Sequence, residues 1–157
     1  MPMKGELYVQ DHEGKQLEGP RDNKSSLIFE FNHEVYLPYD KDENKPTGPR
    51  KITAFTVTKE IDKLTPLLYQ MVSKGRNSKK IEIRLYRNAP DDGSGELEHY
   101  FNYLFEDAKI ISVENYMPFA KIKENEDLGH LEKIKFVARE IEWEFKKGNV
   151  KYREKTF

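Results

Sequence analysis

The residues whose types and spacing best suit chemistry lie in a polar stretch in the first third of the chain. Asp40, Asp42 and Asn44 match the first half of a calcium-binding loop, in which alternate side chains supply oxygen ligands. Such a loop needs glycine at its sixth position and a bidentate glutamate at its twelfth, but this sequence has Lys45 and Lys51 there. Because two lysines repel a cation, we interpret the stretch as a polar turn.

Other catalytic arrangements have little support. No histidine pair has metal-ligand spacing, and the sequence has no nucleophile elbow, phosphate-binding loop or dinucleotide fingerprint. Asp91 and Asp92 are adjacent, but in a glycine-rich turn, where aspartate is common for conformational reasons. The absence of cysteine excludes disulfides, thiolate catalysis and zinc–sulfur sites. We expect no enzyme activity, metal or cofactor, and keep a hydrolase with a histidine–carboxylate pair as a remote alternative.

Charge and hydropathy exclude several classes of partner. The net charge is −1, from 27 basic and 28 acidic residues, so no overall field attracts nucleic acid or an anionic membrane. The most basic segment, 74–84, would suit phosphate contact, but lysines after a helix end are more commonly solvated. No apolar run approaches the roughly 20 residues of a membrane helix or resembles a signal peptide. We therefore expect no nucleic-acid partner, no membrane insertion, and synthesis in the cytoplasm without a cleaved leader.

The elements that position these residues are mostly strands. Period-two alternation and turn residues predict strands at 5–11, 26–38, 52–61, 80–87, two within 97–119 that break near Glu106–Asp107, 131–149, and a last short one at the end of the chain. One helix is predicted at 65–75, with Thr65 as N-cap and Gly75 at its end. The pattern predicts a mainly β, two-sheet barrel or sandwich with one short helix, in a single domain over 1–157.

Two strands have informative faces. In 26–38, Phe29 and Phe31 are expected on one face, opposite a more polar one. In 131–149 the apolar parity changes after Ala138, which indicates a bulge or different partners on the two halves of the strand.

Trp143 and Phe145 are assigned to the core, with a subunit seam as the alternative. Aromatic residues make up 12% of the chain, so the core should depend on Phe and Tyr.

A long polar loop, 38–51, separates two of these strands. Loops of this length are commonly functional, yet this one lacks catalytic chemistry. Pro46 and Pro49 stiffen it, which lowers the entropy lost on docking. The loop is therefore interpreted as an extension that contacts a neighbouring molecule.

Four segments closely resemble one known family. They are HEVYLPYDKDENKPTGPRKITAFTVTKEIDKLTPLLYQMVSKG (33–75), IEIRLYR (81–87), EHYFNYLFEDAKI (98–110) and HLEKIKFVAREIEWEFKKGN (130–149). In this order, over nearly the whole chain, they resemble the haemolysin co-regulated protein family, Hcp, the tube protein of the bacterial type VI secretion system.

The resemblance implies a structural function. It implies a homo-hexameric ring with a wide channel, rings that stack into a tube, and a lumen that can carry and chaperone small effector proteins. The implied partners are further copies of this chain, the type VI sheath and spike, and the effectors. The implied location is cytoplasmic before firing, then the extracellular space or a target cell.

The resemblance also assigns roles by position. The loop that contacts neighbouring subunits or the adjoining ring would comprise Tyr39, Asp40, Lys41, Asp42, Glu43, Asn44, Lys45, Pro46, Thr47, Gly48, Pro49 and Arg50. The residues that would face the lumen are Glu30, Asn32 and Glu34. Two alternatives remain open: a phage-like tail-tube protein, and a monomeric ligand-binding β-barrel.

Overall fold

Antiparallel strands form a closed barrel in this protein. The computed structural model describes residues 3–88 and 96–156, so the turn predicted around Asp91 and Asp92 lies outside it. In chain order the elements are β1 (Met3–Val9), β2 (Ser26–Asn32), β3 (Val35–Tyr36), β4 (Tyr39–Asp40), β5 (Lys45–Pro46), β6 (Lys51–Ile52), β7 (Phe55–Glu60), α1 (Thr65–Ser73), β8 (Ser78–Asn88), β9 (Leu97–Tyr116), a 3-10 turn (Lys123–Asn125), β10 (Leu131–Phe145) and β11 (Val150–Lys155).

Six strands close the barrel in the order β10, β7, β2, β1, β8 and β9, and β9 pairs back onto β10. Every neighbouring pair is antiparallel. The predicted mainly β barrel with one short helix is therefore confirmed. β11 lies outside the closed ring and pairs with β10 alone.

Strand β10 has the different partners that were one of the two explanations for its parity change. One edge pairs with β9 along its whole length, and the register shifts between Lys135 and Phe136. The other edge is shared, since Leu131–Phe136 pairs with β7 and Glu140–Phe145 pairs with β11. The two halves of this strand therefore have different neighbours.

Strand β2 departs from the predicted faces. Phe29 was expected beside Phe31, but the register with β7 shifts between Ile28 and Glu30. This bulge turns Phe29 to solvent, where it is 49% exposed, while Phe31 packs against the core. An extra residue in one strand inverts the alternation that follows it, which is why a strict period of two gave the wrong face.

Strand β9 is continuous, although a break was predicted near Glu106–Asp107. Asp107 has a positive φ of 51°, and the buried positions change parity between Phe105 and Ala108. Because the pairing with β10 keeps one register on both sides, the irregularity does not end the strand.

The core depends on aromatic rings, as the composition predicted. Phe55, Phe105 and Phe136 are each 1% exposed, with centroid separations of 4.9, 5.2 and 4.9 Å. Trp143 packs against this core as predicted, whereas Phe145 lies half-buried against Tyr100 at its margin. The rings therefore fill the middle of the barrel with side chains.

Helix α1 buries Leu68 and Met71 against the barrel. Its N-cap is Leu64, not the predicted Thr65, and no side chain caps the first turn by a hydrogen bond. Thr65 instead donates its hydroxyl to the Glu132 carboxylate at 2.7 Å, because that buried carboxylate needs a donor. Gly75 ends the helix with a positive φ of 63°, as predicted.

A buried ionic network joins α1 to the barrel wall. Lys59 and Glu132, both fully buried, form an ion pair at 2.7 Å across β7 and β10. Lys59 also contacts Asp62 at 3.0 Å, and Asp62 accepts hydrogen bonds from Ser26 and the backbone N–H of Leu64. The start of the helix is thereby held by charge-assisted hydrogen bonds.

Candidate assembly surfaces

The polar loop folds as a two-stranded hairpin, here called the arm (residues 34–53). Its base pairs β3 with β6, and its outer part pairs β4 with β5. Between these short ladders the backbone N–H of Thr47 donates to the carbonyl of Pro38 at 2.8 Å. The arm connects the end of β2 to the start of β7, so it leaves the barrel where these two strands meet.

The stretch that resembled half a calcium loop forms the tip of the arm. The Asp40 carboxylate accepts the backbone N–H groups of Asp42 at 2.9 Å and Glu43 at 3.3 Å. Asn44 adopts a positive φ of 56°, and its side-chain oxygen accepts the Tyr39 hydroxyl. The acidic residues thus stabilise a turn, as the sequence interpretation held.

The arm exposes large apolar side chains. Val35 and Tyr36 are each 42% exposed, Tyr39 is 52% exposed and Leu37 is 57% exposed. Four such groups in one projecting ribbon form an apolar surface beyond the barrel wall. Clustered exposed apolar groups of this kind mark contact sites for other proteins.

The end of the arm is attached to β11 by Arg50. Its Nε donates to the Glu154 carboxylate at 2.6 Å, and its Nη2 donates to the carbonyl of Lys155 at 2.8 Å. Sequence reasoning missed this link, because no local pattern connects residues more than a hundred positions apart. Of the predicted contact-loop residues, Arg50 is therefore engaged with the barrel rather than presented at the tip.

His33 stands at the other root of the arm, among aromatic rings. Its ring centroid is 5.3 Å from that of Phe55, 6.5 Å from that of Phe105 and 6.2 Å from that of Trp143. Its Nε2 is buried without a hydrogen-bond partner. Burial lowers the pKa of His33, and a hydrogen bond to the backbone of Thr53 offsets only part of that effect.

A cleft of about 430 Å³ lies between the arm and the barrel. His33 and Arg50 line it from the arm side, and Phe105, Phe136 and Ile141 line it from the barrel side. The arm therefore meets the barrel at its root through a mixed ionic and aromatic contact that is not closely filled.

The predicted lumen residues lie on the outer face of the barrel wall. Glu30 pairs in register with Thr58, and Asn32 pairs with Thr56 on β7. These residues line a shallow cleft of about 280 Å³ together with Lys133 and Lys135 of β10. The structure thus places Glu30 and Asn32 on one polar face, which also carries two threonines and two lysines.

Glu34 does not belong to this polar face. It follows the end of β2, and its backbone N–H and carbonyl both bond to Thr53 at the base of the arm. Sequence reasoning did not assign the two threonines and the two lysines to the polar face. The sequence does contain a signal for them, because they alternate with the buried residues Val57, Ile134 and Phe136.

Within the described residues, no group of three or more His, Cys, Asp or Glu side chains has the arrangement of a metal site. No helix in that part of the chain is long and apolar enough to cross a membrane. The surfaces described above are an exposed arm and a polar face on a filled barrel.

Comparison with known proteins agrees with this architecture. Residues 3–145 match the family described as "Type VI secretion system effector, Hcp". The "Major exported protein" of Pseudomonas aeruginosa strain PAO1 is 33% identical over 139 residues, which cover 88% of this chain and 73% of that protein. The chain therefore belongs to the Hcp family of type VI secretion proteins.

Solved structures share the fold. A variant of the Hcp1 protein from E. coli EAEC 042 superposes with a TM-score of 0.85 at 29% identity, covering 98% of this chain and 99% of that one. The secreted protein Hcp3 from Pseudomonas aeruginosa superposes with a TM-score of 0.76 at 22% identity, covering 98% and 97%. The second likeness shows a common fold.

Proposed function

We propose that this chain is the repeating subunit of a type VI secretion tube. Six copies close into a ring, rings stack into a tube, and the lumen carries small effector proteins. The role is structural, and the partners are further copies of the chain, the sheath, the spike and the effectors. The protein is exported from the cell, in line with the name of its exported relative.

The exposed arm carries this proposal. A chain that acts alone gains nothing from a hairpin with four apolar side chains in solvent, because exposed apolar surface favours association. Ladder bonds and the Arg50–Glu154 pair organise the arm, so it loses little entropy on docking. The proposed contact is the arm of one copy lying on its neighbour or on the adjoining ring.

A second apolar surface lies at the opposite end of the barrel. The loop between β9 and β10 exposes Met117 and Phe119, each at 64%, together with Ile122 and Leu128. The loop leads into β10 at Leu131, which pairs with Tyr116, the last residue of β9, and with Glu60, the last residue of β7. The arm leads into β7 at the other end of that strand, before its first residue.

Two different surfaces at opposite ends of one strand support a head-to-tail assembly. An interface between unlike patches generates a ring if the rotation closes and a stack if it does not. The six residues of β7 separate the surfaces by roughly 17 Å at 3.3 Å per residue.

The polar face suits the channel wall. Glu30, Asn32, Thr56 and Lys135 present mixed charges and hydroxyls, which favours a hydrated surface. Such a surface holds polar cargo weakly enough to release it. The alternative of a monomeric ligand-binding barrel is disfavoured, because Phe55, Phe105 and Phe136 fill the interior where a ligand would lie.

Light scattering and negative-stain microscopy test the proposal. The intact chain should elute with a mass of about six times 18.6 kDa and show annular particles. A variant in which residues 39–49 are replaced by a two-residue turn should retain its circular dichroism and lose the rings. A strict monomer of the intact chain at high concentration, or intact rings without the arm, contradicts the proposal.

A further inference from the structure

The arm has two fastenings to the barrel, and one of them is titratable. Arg50 ties the returning strand to β11, and His33 packs the outgoing strand against aromatic rings of β7, β9 and β10. Both residues line the cleft under the arm. A change of charge on His33 therefore occurs at the hinge between the arm and the barrel.

We propose that His33 is a proton-sensitive latch for the arm: the neutral ring holds the arm root against the barrel, and protonation loosens it. This inference goes beyond the proposed function, since it concerns how the arm is held rather than what it contacts. It stands on the position of the ring, on its unpartnered nitrogen and on the charges that surround it.

The first support is the lack of an acceptor. Nε2 of His33 is buried and unpartnered. A protonated imidazole donates from both nitrogens, so the added N–H would also lack an acceptor in the closed form. An unsatisfied buried donor is costly, and this cost is removed when the arm root moves into water.

The charged neighbours do not supply the missing acceptor. From the arm, Arg50 and Lys51 line the same cleft as His33 and are both cations. From β11, Glu154 and Tyr152 line the adjoining cleft, and from β9 Tyr103 does so. Glu154 is the one carboxylate among these lining residues, and Arg50 already binds it.

The sign of the pH dependence follows from linkage. The pKa of His33 is lower with the arm closed than with the ring in water, so the open form binds the proton more tightly. The latch is therefore fully effective above the ordinary histidine value of about 6.5 and weakens as the pH falls below it. The loosening should leave the barrel folded.

The experiment uses the full chain with two engineered labels. The chain has no cysteine and a single tryptophan, Trp143, whose ring stacks on His33. Spin labels at Asp42→Cys on the arm tip and Lys109→Cys on the outer barrel wall report the arm position by electron paramagnetic resonance. Trp143 fluorescence reports protonation of His33, because imidazolium quenches indole.

Three proteins are compared between pH 7.5 and pH 5.0: the labelled parent, His33→Phe and His99→Gln. Phe keeps an aromatic ring at the latch but cannot be protonated. His99 is the matched control, because burial also lowers its pKa but it lies against Tyr86, away from the arm.

In the parent and in His99→Gln, the distance distribution should broaden at pH 5.0 while Trp143 emission falls and far-ultraviolet circular dichroism is unchanged. In His33→Phe the distribution should stay narrow at both pH values. Equal broadening in His33→Phe, a parent whose arm stays narrow after His33 has titrated, a His33 that does not titrate above pH 4, or loss of the barrel signal together with the arm would overturn the proposal.

Discussion

Arg50 and Glu154 are joined by a hydrogen bond of 2.6 Å although 104 positions separate them in the sequence. The pair fastens the arm to β11, the strand outside the closed barrel. Because β11 pairs with β10 alone and also carries Glu154, the orientation of the arm depends on the last strand of the described chain.

Replacing Arg50 by Gln should loosen the arm root without unfolding the protein. Both groups are partly exposed, so the cost in free energy of unfolding should be about 1 kcal/mol or less. Amide exchange at Thr53, whose N–H donates to Glu34, should become faster. In a double-mutant cycle with Glu154→Gln the two effects should not add, and strict additivity would contradict a direct pair.

Replacing Lys59 by Met should be far more damaging. The substitution leaves Glu132 without its charged partner in a fully buried site, which costs about 3–5 kcal/mol. Urea unfolding measures the loss. The double variant Lys59→Met with Glu132→Leu should recover much of it, because no uncompensated carboxylate then remains at residue 132. Equal destabilisation of the single and double variants would contradict this interpretation.

Replacing Phe136 by Ala should lower the free energy of unfolding by about 3–5 kcal/mol, because it opens a cavity between Phe55 and Phe105. Phe119→Ala is the control, since Phe119 is 64% exposed and its loss should change the stability by less than about 0.5 kcal/mol. Similar unfolding midpoints for the two variants would show that the aromatic cluster does not support the fold.

Stability should fall in acid through Glu6. Burial raises the pKa of this carboxyl, but hydrogen bonds from Tyr86, Asn23 and Tyr8 and the charge of Lys4 outweigh that effect and lower the pKa overall. The contribution is therefore present above the ordinary value of 4.5 and is lost as the pH falls below it. The urea midpoint of Glu6→Gln should vary less with pH below that value than that of the parent.

The same cluster predicts an alkaline effect. Burial, followed by the hydrogen bond to Glu6, raises the pKa of Tyr86 to about 12. Unfolded protein then loses this proton at lower pH than folded protein, so stability should decrease as the pH rises through 10. Absorbance titration of the phenolate should show a group near 12 that is missing in Tyr86→Phe. A group near 12 that persists in that variant would contradict the assignment.

The position of the polar face can be tested with Asn32→Cys, the one cysteine in an otherwise cysteine-free chain. If the face lines a channel, a small maleimide should react with assembled rings, while a maleimide attached to a large protein should not. The matched control is the same cysteine in the variant with the shortened arm, where both reagents should react. Equal labelling of intact rings by both reagents would place the face outside the channel.

Much of the barrel was predictable, because half-buried strands alternate. The parity change in β10 even indicated its change of neighbours, since a strand that serves two environments cannot keep one face buried throughout. The helix was also located correctly, although its cap was misplaced: Thr65 is a favourable capping residue by type, but the buried carboxylate of Glu132 takes its hydroxyl.

The remaining errors have several physical origins. The bulge after Ile28 and the positive φ at Asp107 are irregularities of the backbone, and side-chain type alone does not encode them. The arm was predicted as a loop because its ladders are only two residues long on each strand. The Arg50–Glu154 fastening and the two lysines of the polar face required knowledge of which strands are neighbours.

Closure of the barrel also affects how readily the protein pairs with further copies through exposed strand edges. A closed barrel leaves its own ladder without an open edge, which removes the usual template for fibril growth. The outer edge of β11 is open, and there the charged side chains Lys151, Arg153 and Lys155 oppose the approach of another strand. Among the described strands, the sites left open to an added strand are therefore the charged edge of β11 and the two-residue ladders of the arm.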